Sequence, residues 1–150
     1  MITIVQRVLE AKVTVEGETV GAIGPGLVAL AAVVKGDSDR DLDWTAAKIA
    51  GLRIFRSHDS SKHFDRDVKE IGGSVLLVSN FTVSAATRQG RRPSLDRAAD
   101  PAVAESMFEK FLAAVRAQGV PVATGKFAAD MKVSLVNDGP ATFILDSAAP

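Results

Sequence analysis

Two hydroxyl residues, Ser79 and Thr82, lie close together where an apolar stretch ends, and a hydroxyl is a possible nucleophile. Serine and threonine attack esters when a neighbouring base removes their proton. The residues around 79–82 lack the Gly-x-Ser-x-Gly pattern of a nucleophile elbow. We interpret both hydroxyls as hydrogen-bonding groups at the end of a strand, with a catalytic nucleophile as the alternative.

The chain has two histidines, His58 and His63, which lie five residues apart in a polar segment. This spacing matches neither a His-Glu-x-x-His helix nor a rigid pair of metal ligands. We interpret them as solvated loop residues.

Two further kinds of site are excluded by residue type and spacing. Gly21, Gly24 and Gly26 lack the spacing of a phosphate-binding glycine-rich loop. The absence of cysteine excludes thiolate catalysis, cysteine-ligated zinc and disulfides.

Four arginines, Arg88, Arg91, Arg92 and Arg97, fall within ten residues that contain one acid, Asp96. Guanidinium groups suit phosphate oxygens because their planar donors bind two oxygens at once. Three or four such contacts would give moderate, salt-sensitive binding to a nucleic acid. The alternative is a solvated loop, or arginine–aspartate pairs at a subunit contact, and composition favours neither interpretation.

The pair Gly139-Pro140 follows Asn137-Asp138 and leads directly into an apolar stretch. Proline cannot donate to a sheet ladder, so one interpretation is a rigid trans turn into an edge strand. The other is a cis peptide bond, which occurs at about 5 to 6% of bonds that precede proline. A cis bond would direct successive carbonyl groups at one point, where they could accept from an ammonium group. The residues alone favour the trans turn.

The rest of the sequence predicts mostly strands and the loops that join them. The pair Glu16-Gly17 predicts a hairpin, and the polar segments 57–67 and 84–99 are predicted loops. Residues 137–140 are predicted to join the last two strands. Short β-branched or apolar stretches predict strands at residues 3–8, 11–15, 19–23, 27–34, 74–83, 120–123, 131–136 and 141–145.

Two amphipathic helices are predicted by apolar residues at helical spacing. The first begins behind the cap-like sequence Asp37-Ser38-Asp39 and buries Leu42, Ala46, Ile49 and Leu52 or Ile54. The second has Asp100 as N-cap and Pro101 at its first position, runs to Gly119, and carries an apolar face of Val103, Met107, Phe108, Phe111, Leu112 and Val115. Many strands with two such helices indicate a layered α+β fold.

Size and charge limit the possible classes of protein. With 150 residues, 47% hydrophobic and 24% charged, the chain is expected to form a single domain over 1–150. Its net charge of zero argues against bulk electrostatic coating of nucleic acid, so an anionic partner must bind a local patch. The longest apolar run, 27–34, is short of the roughly 20 residues that span a bilayer. No signal peptide is evident, so we expect a cytoplasmic protein with no membrane partner.

Six short segments occur in an order that resembles the D-aminoacyl-tRNA deacylase family over nearly the whole chain. No single segment is sufficient, but the ordered set is highly specific. The segments are Gln6-Arg7-Val8, Gly21-Ala22-Ile23-Gly24, Leu52-Arg53-Ile54-Phe55, Ser79-Asn80-Phe81-Thr82, Gly90-Arg91-Arg92-Pro93-Ser94 and Asn137-Asp138-Gly139-Pro140-Ala141-Thr142.

The resemblance implies a layered β/β/α fold, in which mixed β-sheets form a barrel-like core with two helices packed outside. It also implies a homodimer with the active site at its interface. The implied reaction is hydrolysis of the ester bond of D-aminoacyl-tRNA, or of glycine mischarged on tRNA, without a metal or an organic cofactor.

The resemblance also assigns roles to residues. It implies a pocket for the terminal adenosine and the ester, formed by the catalytic set Ser79, Asn80, Phe81 and Thr82. The partner subunit would insert its own cis Gly-Pro pair, and the implied chiral-selection set is Gly139, Pro140, Asn137, Arg7 and Met131. The implied tRNA-binding set is Arg88, Arg91 and Arg92.

Two departures from the family pattern occur: Asn80 replaces the usual glutamine, and Ala128 stands where glycine is common.

In the family mechanism the 2′-hydroxyl of the terminal ribose activates water, and backbone N–H groups near Phe81 and Thr82 stabilise the oxyanion. A Thr82 acyl intermediate is the alternative. The rival functions are a non-catalytic module that binds RNA ends or small ligands on the same dimeric scaffold, and a general esterase that uses Ser79 or Thr82.

Overall fold

A computed structural model describes residues 1–148, and its longest paired elements are the first and last strands. The two helices are α1 (Asp39–Gly51) and α2 (Pro101–Ala117). A short 3₁₀ helix covers Phe81–Ser84. The strands are β1 (Ile2–Val15), β2 (Glu18–Ile23), β3 (Gly26–Ala32), β4 (Ser74–Ser79), β5 (Val122–Thr124) and β6 (Lys132–Asp146).

One mixed sheet contains all six strands, in the order β2-β1-β3-β4-β5, with β6 paired to β1. The first half of β1 pairs antiparallel with β3, its second half pairs antiparallel with β2, and β6 pairs with both halves. Strands β3, β4 and β5 are mutually parallel. Their carboxyl ends therefore lie at one edge of the sheet, where ligands commonly bind in α/β proteins.

The sheet curls until its two end strands, β2 and β5, nearly meet. A Cβ atom added to Gly21 would lie 2.2 Å from the Thr124 carbonyl oxygen, so only glycine permits this approach of the two backbones. The close contact gives Gly21 a specific packing role in closing the barrel.

Apolar side chains form two cores, one on each side of the sheet. Inside the barrel lie the buried residues Val8, Ala11, Val13, Val28, Leu76 and Val78. Outside it, both helices cover the sheet, and their deeply buried residues include Leu42, Ala46, Ile49, Phe108, Phe111 and Val115. The predicted α+β fold with a barrel-like core and two outer helices is confirmed.

Helix α1 begins at the predicted position, with Ser38 as its N-cap. The Asp41 carboxylate accepts hydrogen bonds from the Ser38 hydroxyl at 2.7 Å and the Ser38 backbone N–H at 2.8 Å. The bond from the Ser38 hydroxyl is the main reason that the pKa of Asp41 is lowered to about 2. Because the folded pKa is below the usual value, this stabilisation is lost only as the pH falls from about 4 towards 2.

Helix α2 also begins as predicted, with Pro101 at its first position. The predicted burial of Val103 is wrong, since 51% of this residue is exposed. The buried residues Phe108 and Phe111 lie five and eight residues beyond Val103, so the buried face starts beyond the first turn. Neither helix in residues 1–148 has the length and apolar character needed to cross a membrane.

Three predicted boundaries are wrong, and in two of them strand pairing overrides local turn signals. The separate strands 3–8 and 11–15 are one strand, β1, and the strands 131–136 and 141–145 are one strand, β6. Shifts in the β1–β6 register on both sides of Val8 absorb the turn-like residues 137–140 without ending the ladder. The predicted strand 74–83 ends at Ser79, and the 3₁₀ helix follows.

We expect Gly21→Ala to lower the free energy of unfolding by about 1 to 3 kcal/mol, because the new methyl group overlaps the β5 backbone. Gly24→Ala is the matched control, since a Cβ at Gly24 meets no atom within 4 Å. Its effect should stay within about 0.5 kcal/mol. Urea unfolding followed by circular dichroism measures the free energy of unfolding of both variants. Equal stability of the two variants would contradict the packing role of Gly21 between β2 and β5.

Candidate active site

A groove of about 460 Å³ lies beyond the carboxyl ends of the parallel strands β3 and β4. One wall follows β4, a second comes from residues 98–104, and a third from residues 127–133. The lining residues are Ala31, Val33, Val78, Ser79, Asn80, Phe81, Ala98, Ala99, Pro101, Ala104, Phe127, Ala128, Ala129, Asp130, Met131 and Val133. The groove brings together four predicted site residues, Ser79, Asn80, Phe81 and Met131.

The wall that follows β4 is held by backbone hydrogen bonds. The Asn80 N–H donates to the Ala31 carbonyl at 2.8 Å, which fixes the chain as it leaves the sheet. The buried Ser84 hydroxyl donates to the Phe81 carbonyl at 2.8 Å and closes the 3₁₀ helix. Phe81 is left 55% exposed beside the groove. A half-exposed aromatic ring of this kind is a surface on which a nucleobase can stack.

Thr82 does not line the groove, although it belongs to the predicted catalytic set. Its hydroxyl donates to the Asn80 side-chain oxygen at 2.6 Å. An amide oxygen is an acceptor that does not take up a proton near neutral pH. This hydrogen bond therefore orients the Thr82 hydroxyl without activating it as a nucleophile.

The backbone N–H groups of Phe81 and Thr82 open the 3₁₀ helix, where no preceding helical carbonyl accepts from them. Such donors can stabilise negative charge that develops on a substrate oxygen. The acid among the groove-lining residues is Asp130, and its carboxylate accepts from Lys132 at 2.9 and 3.1 Å. Neither histidine lines the groove. The described residues thus offer oxyanion donors there but no histidine base.

Segment 127–131 forms the wall opposite the 3₁₀ helix. Phe127 contacts Phe108 of α2 with 6.2 Å between ring centroids, and Met131 packs against the barrel core. Between them, Ala128 has φ of +59°, a left-handed conformation that favours glycine. Ala128, which stands where glycine is common in the family, therefore keeps a backbone conformation typical of glycine.

The predicted chiral-selection residues other than Met131 lie outside the groove, around Arg7. Arg7 is only 2% exposed. Its Nε atom lies 3.0 Å from both the Asp138 carbonyl oxygen and the Asp138 carboxylate. In the other direction, the Asn137 side-chain amide donates to the Arg7 carbonyl at 2.9 Å. Arg7 is therefore bound directly to the segment that carries Gly139 and Pro140.

The peptide bond between Gly139 and Pro140 is cis. This corrects the trans turn that the residues alone favoured. General isomer frequencies describe an X-Pro bond in isolation and contain nothing about the contacts that Arg7 makes with the preceding residues. Gly139 and Pro140 are both exposed.

The arginine-bearing segment is a loop over 85–99, as predicted, while Ser84, the first residue of the predicted loop, ends the 3₁₀ helix. Ala86 and Ser94 exchange two backbone hydrogen bonds of 2.9 Å, so the arginines project from a small hairpin. Arg88, Arg91 and Arg92 are exposed, and no ion pair to them occurs within residues 1–148. The base of the loop, at Ala98 and Ala99, lines the groove. The loop thus places three guanidinium groups on a hairpin that rises from the groove wall.

Both histidines are exposed loop residues, as predicted. The His63 Nδ1 atom lies 2.6 Å from an Arg56 nitrogen, and the His58 Nδ1 atom lies 3.5 Å from an Arg66 nitrogen. Residues 1–148 contain no group of three histidine or acidic side chains arranged to hold a metal ion.

Sequence reasoning missed the groove residues Phe127, Ala98 and Ala99, as well as Phe64, whose ring lies over Arg7. Alanine carries no chemical signal, and each phenylalanine resembles an ordinary core residue in the sequence. Only the folded chain brings them to the groove or to Arg7.

The structure defines an α+β protein built on a nearly closed barrel, with a groove at the carboxyl ends of its parallel strands. A family profile described as D-Tyr-tRNA(Tyr) deacylase matches residues 4–146, and the chain belongs to this family. A D-aminoacyl-tRNA deacylase of Geobacter sulfurreducens is 51% identical over 98% of this chain and 95% of its own length. The D-aminoacyl-tRNA deacylase of Paracoccus denitrificans is 50% identical over 99% of this chain and 98% of its own length.

A solved structure gives the same fold. The c-Myc DNA Unwinding Element Binding Protein superimposes with a TM-score of 0.93 and is 35% identical in sequence. The match covers 99% of this chain and all of that chain. The family assignment made from the six ordered segments is confirmed.

Proposed function

We propose that this protein hydrolyses the ester bond of D-aminoacyl-tRNA, and of glycine mischarged on tRNA, to release free tRNA and the amino acid. The whole chain, 1–150, would act as one deacylase domain in the cytoplasm, where tRNA serves translation. The observation that carries the proposal is the groove, which joins Ser79, Asn80 and Phe81 to Met131 in a chain related over its full length to D-aminoacyl-tRNA deacylases.

A second copy of the chain would complete the site. Strand β6 pairs only with β1 within residues 1–148, so its other edge is open over 15 residues. Ile144 on this strand is 72% exposed, and Val136 is 45% exposed. Long apolar edge strands are normally covered.

The total exposed surface also supports a dimer. The chain exposes 8451 Å², whereas a monomer of this mass exposes about 7,300 Å². The excess exceeds the roughly 800 Å² that one partner buries in a standard interface.

In the proposed dimer, the partner's 139–140 segment would face the groove of this chain. In this chain, segment 137–140 does not line its own groove, which is consistent with a contribution across the interface. If the main chain at 139–140 receives the ammonium group of the substrate, the direction of the side chain follows from chirality. A D side chain would point to solvent, an L side chain would strike this backbone, and glycine would be accepted.

Hydrolysis would depend on the RNA rather than on a protein base. The N–H groups of Phe81 and Thr82 would stabilise the oxyanion. The 2′-hydroxyl of the terminal ribose would activate the attacking water. Two features support this assignment: no histidine lines the groove, and the Thr82 hydroxyl already donates to Asn80.

Recognition of tRNA would combine stacking with local electrostatics. The exposed ring of Phe81 offers a stacking surface for the terminal adenine. Arg88, Arg91 and Arg92 would contact phosphates, since they are exposed at a loop whose base lines the groove. Because the protein has no net charge, these few local contacts would supply the electrostatic attraction to tRNA. The resulting moderate affinity suits an enzyme that must release its tRNA.

The central test compares D-tyrosyl-tRNA with L-tyrosyl-tRNA. We expect the purified protein to deacylate the D ester much faster than the L ester, and the active species should sediment with twice the mass of the chain. Release of labelled tyrosine over time measures both reactions. Equal survival of both esters would refute the proposed activity, and stoichiometric binding without ester loss would establish the non-catalytic module instead.

We expect Thr82→Ala to reduce kcat for D-tyrosyl-tRNA by less than about tenfold, because the Thr82 hydroxyl is bound to an amide oxygen. Removal of an essential nucleophile typically costs more than about 10⁴-fold. Thr82→Val, which keeps the shape of the side chain, is the matched control. If both variants fold normally and lose all turnover, Thr82 is the nucleophile and the RNA-assisted route is wrong.

We expect the double variant Arg91→Ala and Arg92→Ala to raise KM for D-aminoacyl-tRNA and to flatten the dependence of kcat/KM on salt. Each lost phosphate contact should reduce the logarithmic salt slope by about 1. The control variant removes two exposed arginines of the helices, Arg40→Ala with Arg116→Ala. Kinetics like those of the control would show that the loop does not bind tRNA.

A further inference from the structure

The segment between α1 and β4 forms a hairpin beside Arg7. Phe55 and Arg66 exchange two backbone hydrogen bonds of 3.0 Å at its base. Nearer the tip, the Ser57 N–H donates to the Lys62 carbonyl at 2.9 Å. Residues 63 and 64 lie between these two closures, so their backbone has a defined position. We call residues 55–66 the Arg7-facing hairpin.

Arg7 receives contacts from this region on the side away from Asp138. Its Nη1 atom donates to the Ile54 carbonyl at 2.5 Å and to the His63 carbonyl at 3.4 Å. The ring of Phe64 lies 6.0 Å from the guanidinium carbon. A buried guanidinium needs such partners because burial removes its water. Arg7 is therefore bound on one side by segment 137–138 and on the other by the hairpin.

Phe64 also contacts strand β6 itself. Its ring meets Phe143 edge to face, with 5.8 Å between centroids and 71° between ring planes. Phe143 lies three residues beyond Pro140 and pairs with Val5 of β1. Phe64 thus joins Arg7 to the strand that carries Gly139 and Pro140. It is nevertheless 52% exposed, so it contributes less to the core than a buried phenylalanine would.

We propose that Phe64 is a positioning residue for chiral selection, acting through Arg7 on segment 137–140. The proposal rests on the proposed function. The ring covers one side of the guanidinium, where it attracts the cation and excludes water that would compete with the carbonyl acceptors. With water admitted, Arg7 is bound less firmly to Asp138, and the backbone at 139–140 moves more freely. A looser backbone rejects an L side chain less well.

The test compares hydrolysis of D-tyrosyl-tRNA and L-tyrosyl-tRNA by the full-length protein. In Phe64→Ala, we expect the ratio of kcat/KM for D over L to fall about five- to tenfold, the factor expected for loss of a partly shielded cation–π contact. Phe64→Tyr keeps the ring and should keep the ratio. Phe64→Leu keeps apolar bulk without the ring, so it should lower the ratio while guarding against a folding defect.

The matched control is Trp44→Ala. Trp44 is a 39% exposed aromatic residue of α1, and the Lys48 ammonium lies 5.7 Å from its ring. Its removal deletes an exposed aromatic–cation pair without touching Arg7, so the D over L ratio should not change. The ratio does not depend on the fraction of folded enzyme, which makes it insensitive to a merely structural loss.

A second readout does not require activity. Phenylglyoxal modifies accessible arginines, and peptide mass spectrometry can follow Arg7 in each variant. We expect faster modification of Arg7 in Phe64→Ala than in the native protein, Phe64→Tyr or Trp44→Ala. Unchanged D over L ratios in Phe64→Ala and Phe64→Leu, with the native protein active, would overturn the positioning role alone. A native protein that hydrolyses neither ester would refute the proposed function, and the positioning role with it.

Discussion

The buried charge of Arg7 is the constraint on which the site depends. A guanidinium that is 2% exposed must be satisfied from every direction, since an unpaired buried charge is strongly destabilising. Its acceptors come from distant parts of the chain: Asp138 on β6, and the carbonyls of Ile54 and His63. Satisfying one cation thus determines how the last strand meets the segment between α1 and β4. Replacement by lysine would retain the charge but lose the planar set of donors that reaches these acceptors together.

The sheet topology explains why two groups of functional residues occur in separate places. Strands β3, β4 and β5 are parallel, so the segments that follow them meet at one edge and form the groove. Strand β6 is antiparallel to β1 and exposes Gly139 and Pro140 away from that groove. A single chain therefore carries both groups without bringing them together, and under the proposed function a pair of chains does so twice.

Much of this architecture was predictable from the sequence because local signals agree with the final packing. The faces of both helices and the hairpin at Glu16-Gly17 follow from periodicity and turn chemistry, and the ordered segments indicate the family. The long strands were not predictable, because residues 137–140 have turn chemistry and only the register shift against β1 lets the ladder continue past them. The contact between Phe64 and Arg7 was also missed, since nothing local relates residues 57 positions apart.

The groove walls contain six alanines: Ala31, Ala98, Ala99, Ala104, Ala128 and Ala129. Methyl groups give the wall shape while offering no charge or donor that could discriminate among substrates by chemistry. The size of the cavity is consequently adjustable in small steps at alanines outside the sheet, such as Ala98, Ala99 and Ala104, whereas Ala31 belongs to the buried core. A surface of this kind lends itself to redesign, since its capacity can be narrowed residue by residue without disturbing the polar main chain that surrounds it.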